Sequence, residues 1–200
     1  MEEINNIDNS FWGYQKLIDF YNRHKNDFIE NIDINLTFWF AANMSSALGG
    51  ILDLLSQGLN TIQISASPRI EKILLKNNFL SYYGHQKITD DYQTTIKFLK
   101  LTTNDGKYFN QYVVDEFLGR TELPEMSHLV KEKMTEAIYE MFVNAQIHSE
   151  TKNIYTCGQF YPRKDIIEFT IVDTGIGFKE KINKRFNSNL TSVQDIKWAM

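Results

Sequence analysis

Apolar residues along this chain recur with two different periods, and the switches between them mark out the elements. Over residues 11–26, Trp12, Leu17, Ile18 and Tyr21, continued by Phe28, suggest the apolar stripe of a first helix. Residues 35–42 read as a buried strand and 45–57 as a helix. Gly58 and Asn60 punctuate the chain, 61–65 alternates as a short strand with Ile62 and Ile64 on one face, and Pro68 opens a helix through Lys76. After breaks at Asn77, Asn78 and Gly84, residues 94–101 form a further strand, and the Asn-Asp-Gly turn within 103–107 marks a boundary.

Beyond it, a long helix starts near Met126 with Ser127 as its N-cap and runs to about His148. Val130, Met134, Ala137, Ile138, Met141, Phe142 and Ala145 form its core-facing stripe. Strands at 154–161 and 166–173 follow around a turn at 162–165, then a glycine-bearing turn at 173–178. A charged segment at 179–185, a polar loop containing Asn187, Ser188, Asn189 and Thr191, and a helix beginning at Ser192 complete the pattern. The expected fold is α/β (α+β) in two units, 1–103 and 104–200.

Residues 34–52 carry no charged side chain and reach the length of a membrane-spanning helix. Asn35, Thr37, Asn43, Ser45, Ser46, Gly49 and Gly50, together with a mid-segment change from strand to helix period, exclude that reading. The net charge of −4 with interspersed signs offers no broad basic surface, so small molecules and proteins are the expected partners, not nucleic acid or membrane. Cys157 is the single cysteine, which precludes an internal disulfide and suits a reducing cytoplasm. The acidic, polar start MEEINNIDNS lacks the basic and apolar regions of a secretory signal.

Chemistry concentrates at two places. Glu140, Asn144 and His148 follow one another at intervals of four, so they stack along one edge of the long helix. A carboxylate and, one turn on, a neutral amide oxygen suit a proton acceptor and a magnesium ligand. The strand at 166–173 ends in Asp173-Thr174-Gly175-Ile176-Gly177-Phe178, which sets a carboxylate beside two residues without Cβ, where a hydrogen bond to an exocyclic amine and a close backbone approach to a flat base are both feasible. Taken alone, the helix motif reads more readily as a solvated helix face, and the D-x-G-x-G motif is weak evidence against a tight turn. No phosphate-binding G-x-x-x-x-G-K-S/T loop and no H-x-x-x-H zinc spacing competes with them.

The order of E-x-x-x-N-A on a helix, two strands and then D-x-G-x-G, with about thirty residues from Asn144 to Asp173, resembles the histidine-kinase/gyrase/MutL (GHKL) ATP-binding family over roughly residues 131–200. The resemblance implies a Bergerat-type α/β sandwich that binds ATP with magnesium. Asn144 would be the metal ligand, Asp173 the adenine-amine acceptor, and Glu140 the general base of hydrolysing members. Gly175 and Gly177 would line the adenine pocket, with Ile176, Ala145 and His148 near the nucleotide. The N-A-x-x-H-S pattern is similar to the histidine-kinase and anti-sigma-factor kinase branches, although no histidine phosphoacceptor box is present. The family pattern continues into a second glycine box and further strands that do not occur before Met200, which implies an incomplete domain with an exposed sheet edge.

The strand-helix-strand-helix region from Asn35 to Gly84 is similar to the STAS domains of anti-sigma-factor antagonists. Its loop reads Asn43-Met44-Ser45-Ser46, without the acidic residue of the phosphoacceptor, so Ser45 also reads as a plain helix N-cap. Three functions stay open: an ATP-dependent protein kinase or ATPase, a regulatory module in which ATP orders a lid at 179–191 without turnover, and a degenerate scaffold.

Overall fold

The computed structural model describes residues 1–187 together with 191 and 194; of His148 and Phe178 it describes the backbone alone. The expected helix from Ser192 and most of the preceding polar loop lie outside the described residues.

The fold is mixed α/β, and the described residues form two three-stranded sheets. The first sheet is parallel, in the order β1 (Glu2–Ile7), β2 (Asn31–Phe40), β3 (Thr61–Ala66). Strand β1 lies in the acidic start and was not expected as a strand, because only Ile4 and Ile7 interrupt its polar run; both are buried. In β2, Ile32, Ile34 and Leu36 point to the core while Asn31 and Asp33 face solvent, the alternation of a sheet covered on one face.

That face is covered by α1 (Phe11–His24), α2 (Ser45–Ser56) and α3 (Pro68–Lys76). Ser10 caps α1 by accepting from the Gly13 amide, and Pro68 stands at the start of α3, where its missing N–H costs nothing. The stripe expected for α1 is rotated. Leu17 and Phe20 are buried, whereas Trp12 is 71% exposed and Ile18 and Phe28 are also outside, because Gly13 presses against the Asp8 backbone and sets which side faces in.

The second sheet is antiparallel, in the order β4 (Thr95–Thr102), β5 (Asn153–Tyr161), β6 (Ile166–Asp173). Strand β4, grouped with the first unit by its place in the chain, pairs instead with β5 through Leu99–Thr156 and Leu101–Ile154. The sheets therefore divide before β4, not at residue 103. Its apolar Ile96, Leu99 and Leu101 find their cover in the second half: α4 (Gly106–Tyr112), a π turn continuing it (Val113–Leu118), and α5 (His128–His148). Phe109 of α4 stacks on Phe142 of α5 with ring centroids 4.7 Å apart. The 106–118 segment had no expected element, since its apolar residues follow neither period for long.

Between the sheets runs α2, whose first half is buried on all sides: Ser45, Ser46, Ala47, Leu48, Gly49 and Gly50 are all buried, and Leu52 and Leu55 continue the buried face. A Cβ on Gly49 would come within 2.7 Å of the Phe98 ring, and one on Gly50 within 3.0 Å of Thr174, so the glycines allow the helix to seat on the second sheet. Asp53 pins it there, pairing with Lys100 and accepting from the Tyr155 hydroxyl at 2.6 Å and the Asn153 amide at 3.1 Å. Burial opposes ionisation of Asp53, but Lys100 and Tyr155 outweigh it and hold the carboxyl below its ordinary pKa. Cys157, on β5 against the start of α2, is fully buried, and burial pushes its thiol up to about 12.

After β6 comes α6 (Gly177–Phe186), formed where a charged lid segment was expected. Among the described residues, no helix is long and apolar enough to cross a membrane.

Candidate functional site

The two motifs meet at the C-terminus of α5. Ser127 caps the start of this helix by accepting from the Val130 amide, and Phe142 and Ala145 bury its inner face. The expected stripe was too broad: Met141 is 60% exposed, and Val130 and Ala137 are exposed too, because only one flank of α5 lies on β6 and α4. At the end of the helix, the Ser149 hydroxyl donates to the Ala145 carbonyl, and Ser149 presents its own backbone carbonyl to the turn after β6. That carbonyl accepts from the Ile176 amide at 2.8 Å. The D-T-G-I-G turn is thereby fastened to the helix that bears Asn144.

Gly175 makes the junction possible. A Cβ there would lie 1.9 Å from the Ser149 oxygen, so its role is close approach of backbone to backbone. Gly177 differs: its φ of +71° lies in the left-handed region, and it has open space around it where the chain turns into α6. Asp173, exposed at the end of β6, accepts from the Gly175 amide at 2.9 Å with one carboxylate oxygen and lines the cleft described below. Thr174 joins the turn to the loop between α5 and β5 through Thr151.

A cleft of about 610 Å³ opens between α5, this turn and α6. On one wall stand Met141, Asn144, Ala145 and Ser149; Asp173 and Gly177 form the floor. The facing wall is α6, through Lys181, Ile182, Arg185 and Phe186, with Ile182 buried as its anchor. Volume and lining suit a ligand with a flat apolar body and a few polar handles.

The structure thus brings Asn144, Ala145, Asp173 and Gly177 to one cleft. Gly175 and Ile176 act behind it, at the junction with Ser149. Glu140 is exposed one turn earlier on α5 and is not part of the cleft wall. His148 ends α5, and its side chain lies outside what is described. In the sequence Lys181 and Arg185 are part of the charged segment at 179–185 and were not assigned to a site; their spacing of four, shared by Ile182 and Phe186, is the helical signal that sets them on this wall.

No group of three or more His, Cys, Asp or Glu among the described residues could hold a metal ion. Those described residues offer no protein-only metal cage, but the exposed Asn144, which lines the same cleft as Asp173, carries an amide oxygen of the kind magnesium takes, since that ion uses few protein oxygens and completes its shell with water and phosphate. No protein-family model matches the chain, and comparison with curated proteins and with solved structures gives no match either.

Proposed function

We propose that this cleft binds ATP with magnesium, as a GHKL-type site, and that the chain uses it to phosphorylate a protein or hydrolyse ATP within a cytoplasmic regulatory system. The observation that carries this reading is the convergence of Asn144 and Asp173 on one cleft, fastened by the Ser149–Ile176 hydrogen bond. Asp173 accepts the hydrogen bond of the adenine amine, and Met141, Ala145 and Ile182 supply apolar surface for the base. Asn144 offers its amide oxygen to the metal, whose charge, when bound, offsets that of the phosphates. Glu140, one turn away on the same helix, accepts the proton of the attacking hydroxyl.

Calorimetric titration of ATP, with and without magnesium, tests the reading. The intact chain is expected to bind saturably and more tightly with magnesium. Asp173→Asn should weaken binding by roughly tenfold or more, the effect of losing a hydrogen bond to a charged group. Absence of binding by the intact chain would leave a scaffold without nucleotide.

A second reading, a nucleotide-responsive binding module without turnover, is favoured by one observation: Glu140 stands off the cleft wall. Glu140→Gln separates the two. Loss of turnover with nucleotide binding retained supports the enzyme, and absence of turnover in the intact chain supports the module.

A further inference from the structure

We infer that a second cleft, between the end of α3, the loop at 87–93 and the π turn after α4, binds a free α-amino acid as its zwitterion. It shares no lining residue with the cleft proposed for ATP, so it goes beyond that reading and is tested apart from it.

The cleft has a volume of about 620 Å³. Lys76 of α3, Lys87 and Asp90 of the loop, and Lys97 of β4 line it, together with Asp115 and Glu116 of the π turn and Arg120 just beyond. Most of these charges are paired: Lys76 with Asp90 at 2.8 Å, Lys97 with Glu116, and Arg120 with Glu122 at 3.2 Å. Two are not. Lys87 is exposed and, among the described residues, has no hydrogen bond or ion pair. Asp115 is also exposed and accepts only from the Gln111 side-chain amide at 2.8 Å. The two unpaired charges in the cleft are therefore opposite in sign, which a ligand carrying both signs satisfies and a simple anion does not.

Arg120 supplies the anchor. Its side chain is 6% exposed, yet it uses only two of its five donors, toward the Thr95 carbonyl at 3.3 Å and the Glu122 carboxylate at 3.2 Å. Its Nε and the second Glu122 oxygen, Oε2, have no partner among the described residues. A guanidinium withdrawn from water with donors unused is unfavourable, and a ligand carboxylate that takes them up in forked geometry relieves it.

The sum of the charges selects the ligand class. Lys76, Lys87, Lys97 and Arg120 stand against Asp90, Asp115 and Glu116, and Glu122 makes the fourth carboxylate, so the site as a whole is neutral. A phosphate dianion would bring excess negative charge among these carboxylates, whereas a zwitterion brings none. The ligand carboxylate lies between Arg120 and Lys87, and its ammonium meets Asp115. The π turn that carries Asp115 is a rare conformation, found often at functional sites.

The test is calorimetric titration of each of the common L-amino acids into the full chain, repeated with Lys87→Gln and Asp115→Asn. At least one amino acid is expected to bind saturably, and each substitution to weaken it about tenfold or more. Both positions are exposed and lightly bonded, so the melting temperature of the unliganded chain should stay unchanged in either variant. Arg120 is left in place because its bonds to Thr95 and Glu122 also hold the fold. The N-acetyl derivative of the bound amino acid, which lacks the ammonium, should bind more weakly and should no longer distinguish Asp115→Asn from the intact chain. Absence of binding by every amino acid, an affinity that either substitution leaves unchanged, or equal binding of the N-acetyl derivative overturns the inference.

Discussion

A methyl group on Gly175 has nowhere to go, whereas one on Gly177 meets nothing. The first would collide with the Ser149 carbonyl at 1.9 Å, and that oxygen is backbone at a helix end, so it cannot swing aside. The second would only hold a residue with a side chain at a φ of +71°. Gly175→Ala should therefore break the Ile176–Ser149 bond and cost about 3 kcal/mol or more, while Gly177→Ala costs about 1 kcal/mol. Urea unfolding of the two variants checks the ranking. Equal costs would mean that the junction between the turn and α5 is not what holds the cleft together.

At the level of elements, β1 depends on side chains more than on its own sequence. His24, near the end of α1, sits between Glu2 of β1 at 2.6 Å and Asp27 at 2.7 Å, and Arg23 also pairs with Glu2. Burial works against the imidazolium, but the Glu2 and Asp27 carboxylates outweigh it, so the pKa of His24 is raised above its ordinary 6.5. A raised folded-state pKa means that the stabilisation is fully present below the unfolded value and is lost as pH climbs through the folded one. The urea midpoint should thus fall as pH rises from about 6.5 through the raised value, and His24→Gln should flatten that portion of the profile. An unchanged profile in the variant would remove His24 as the clasp of β1. The same contrast explains which elements were legible. Helix α5, strand β6 and helix α3 carry their own signals in Ser127, the 166–173 alternation and Pro68, while β1 has two apolar residues in a polar run and needs β2 to exist.

Across the whole molecule, α2 serves two sheets at once. Its buried faces contribute to the core beneath the parallel sheet, and the same helix meets Phe98, Tyr155 and Thr174 of the antiparallel side through Gly49 and Gly50. A branched side chain at position 49 would push against a Phe98 ring already wedged edge-on against Phe79, so relief requires the sheet to move. Gly49→Val should cost about 1–3 kcal/mol and lower hydrogen-exchange protection in β2 and β5 together. Loss of protection confined to one sheet would show two independently stable units. Because Gly50 abuts Thr174 in the D-T-G-I-G turn, a displacement of α2 also reaches the candidate site.

What the sequence by itself determined is local: the periods of its helices and strands, their caps, the Asp173 turn, and the two motifs whose residues the cleft unites. These depend on neighbours within a few positions, where propensity and hydrogen-bonding chemistry act directly. Tertiary structure alone decided that β4 joins β5, that α2 lies between two sheets, that Gly175 serves Ser149, and that Lys181 and Arg185 face Asn144. Each of these is a contact between residues distant along the chain, set by which apolar faces find cover, and a local pattern specifies that a face must be buried without specifying against what.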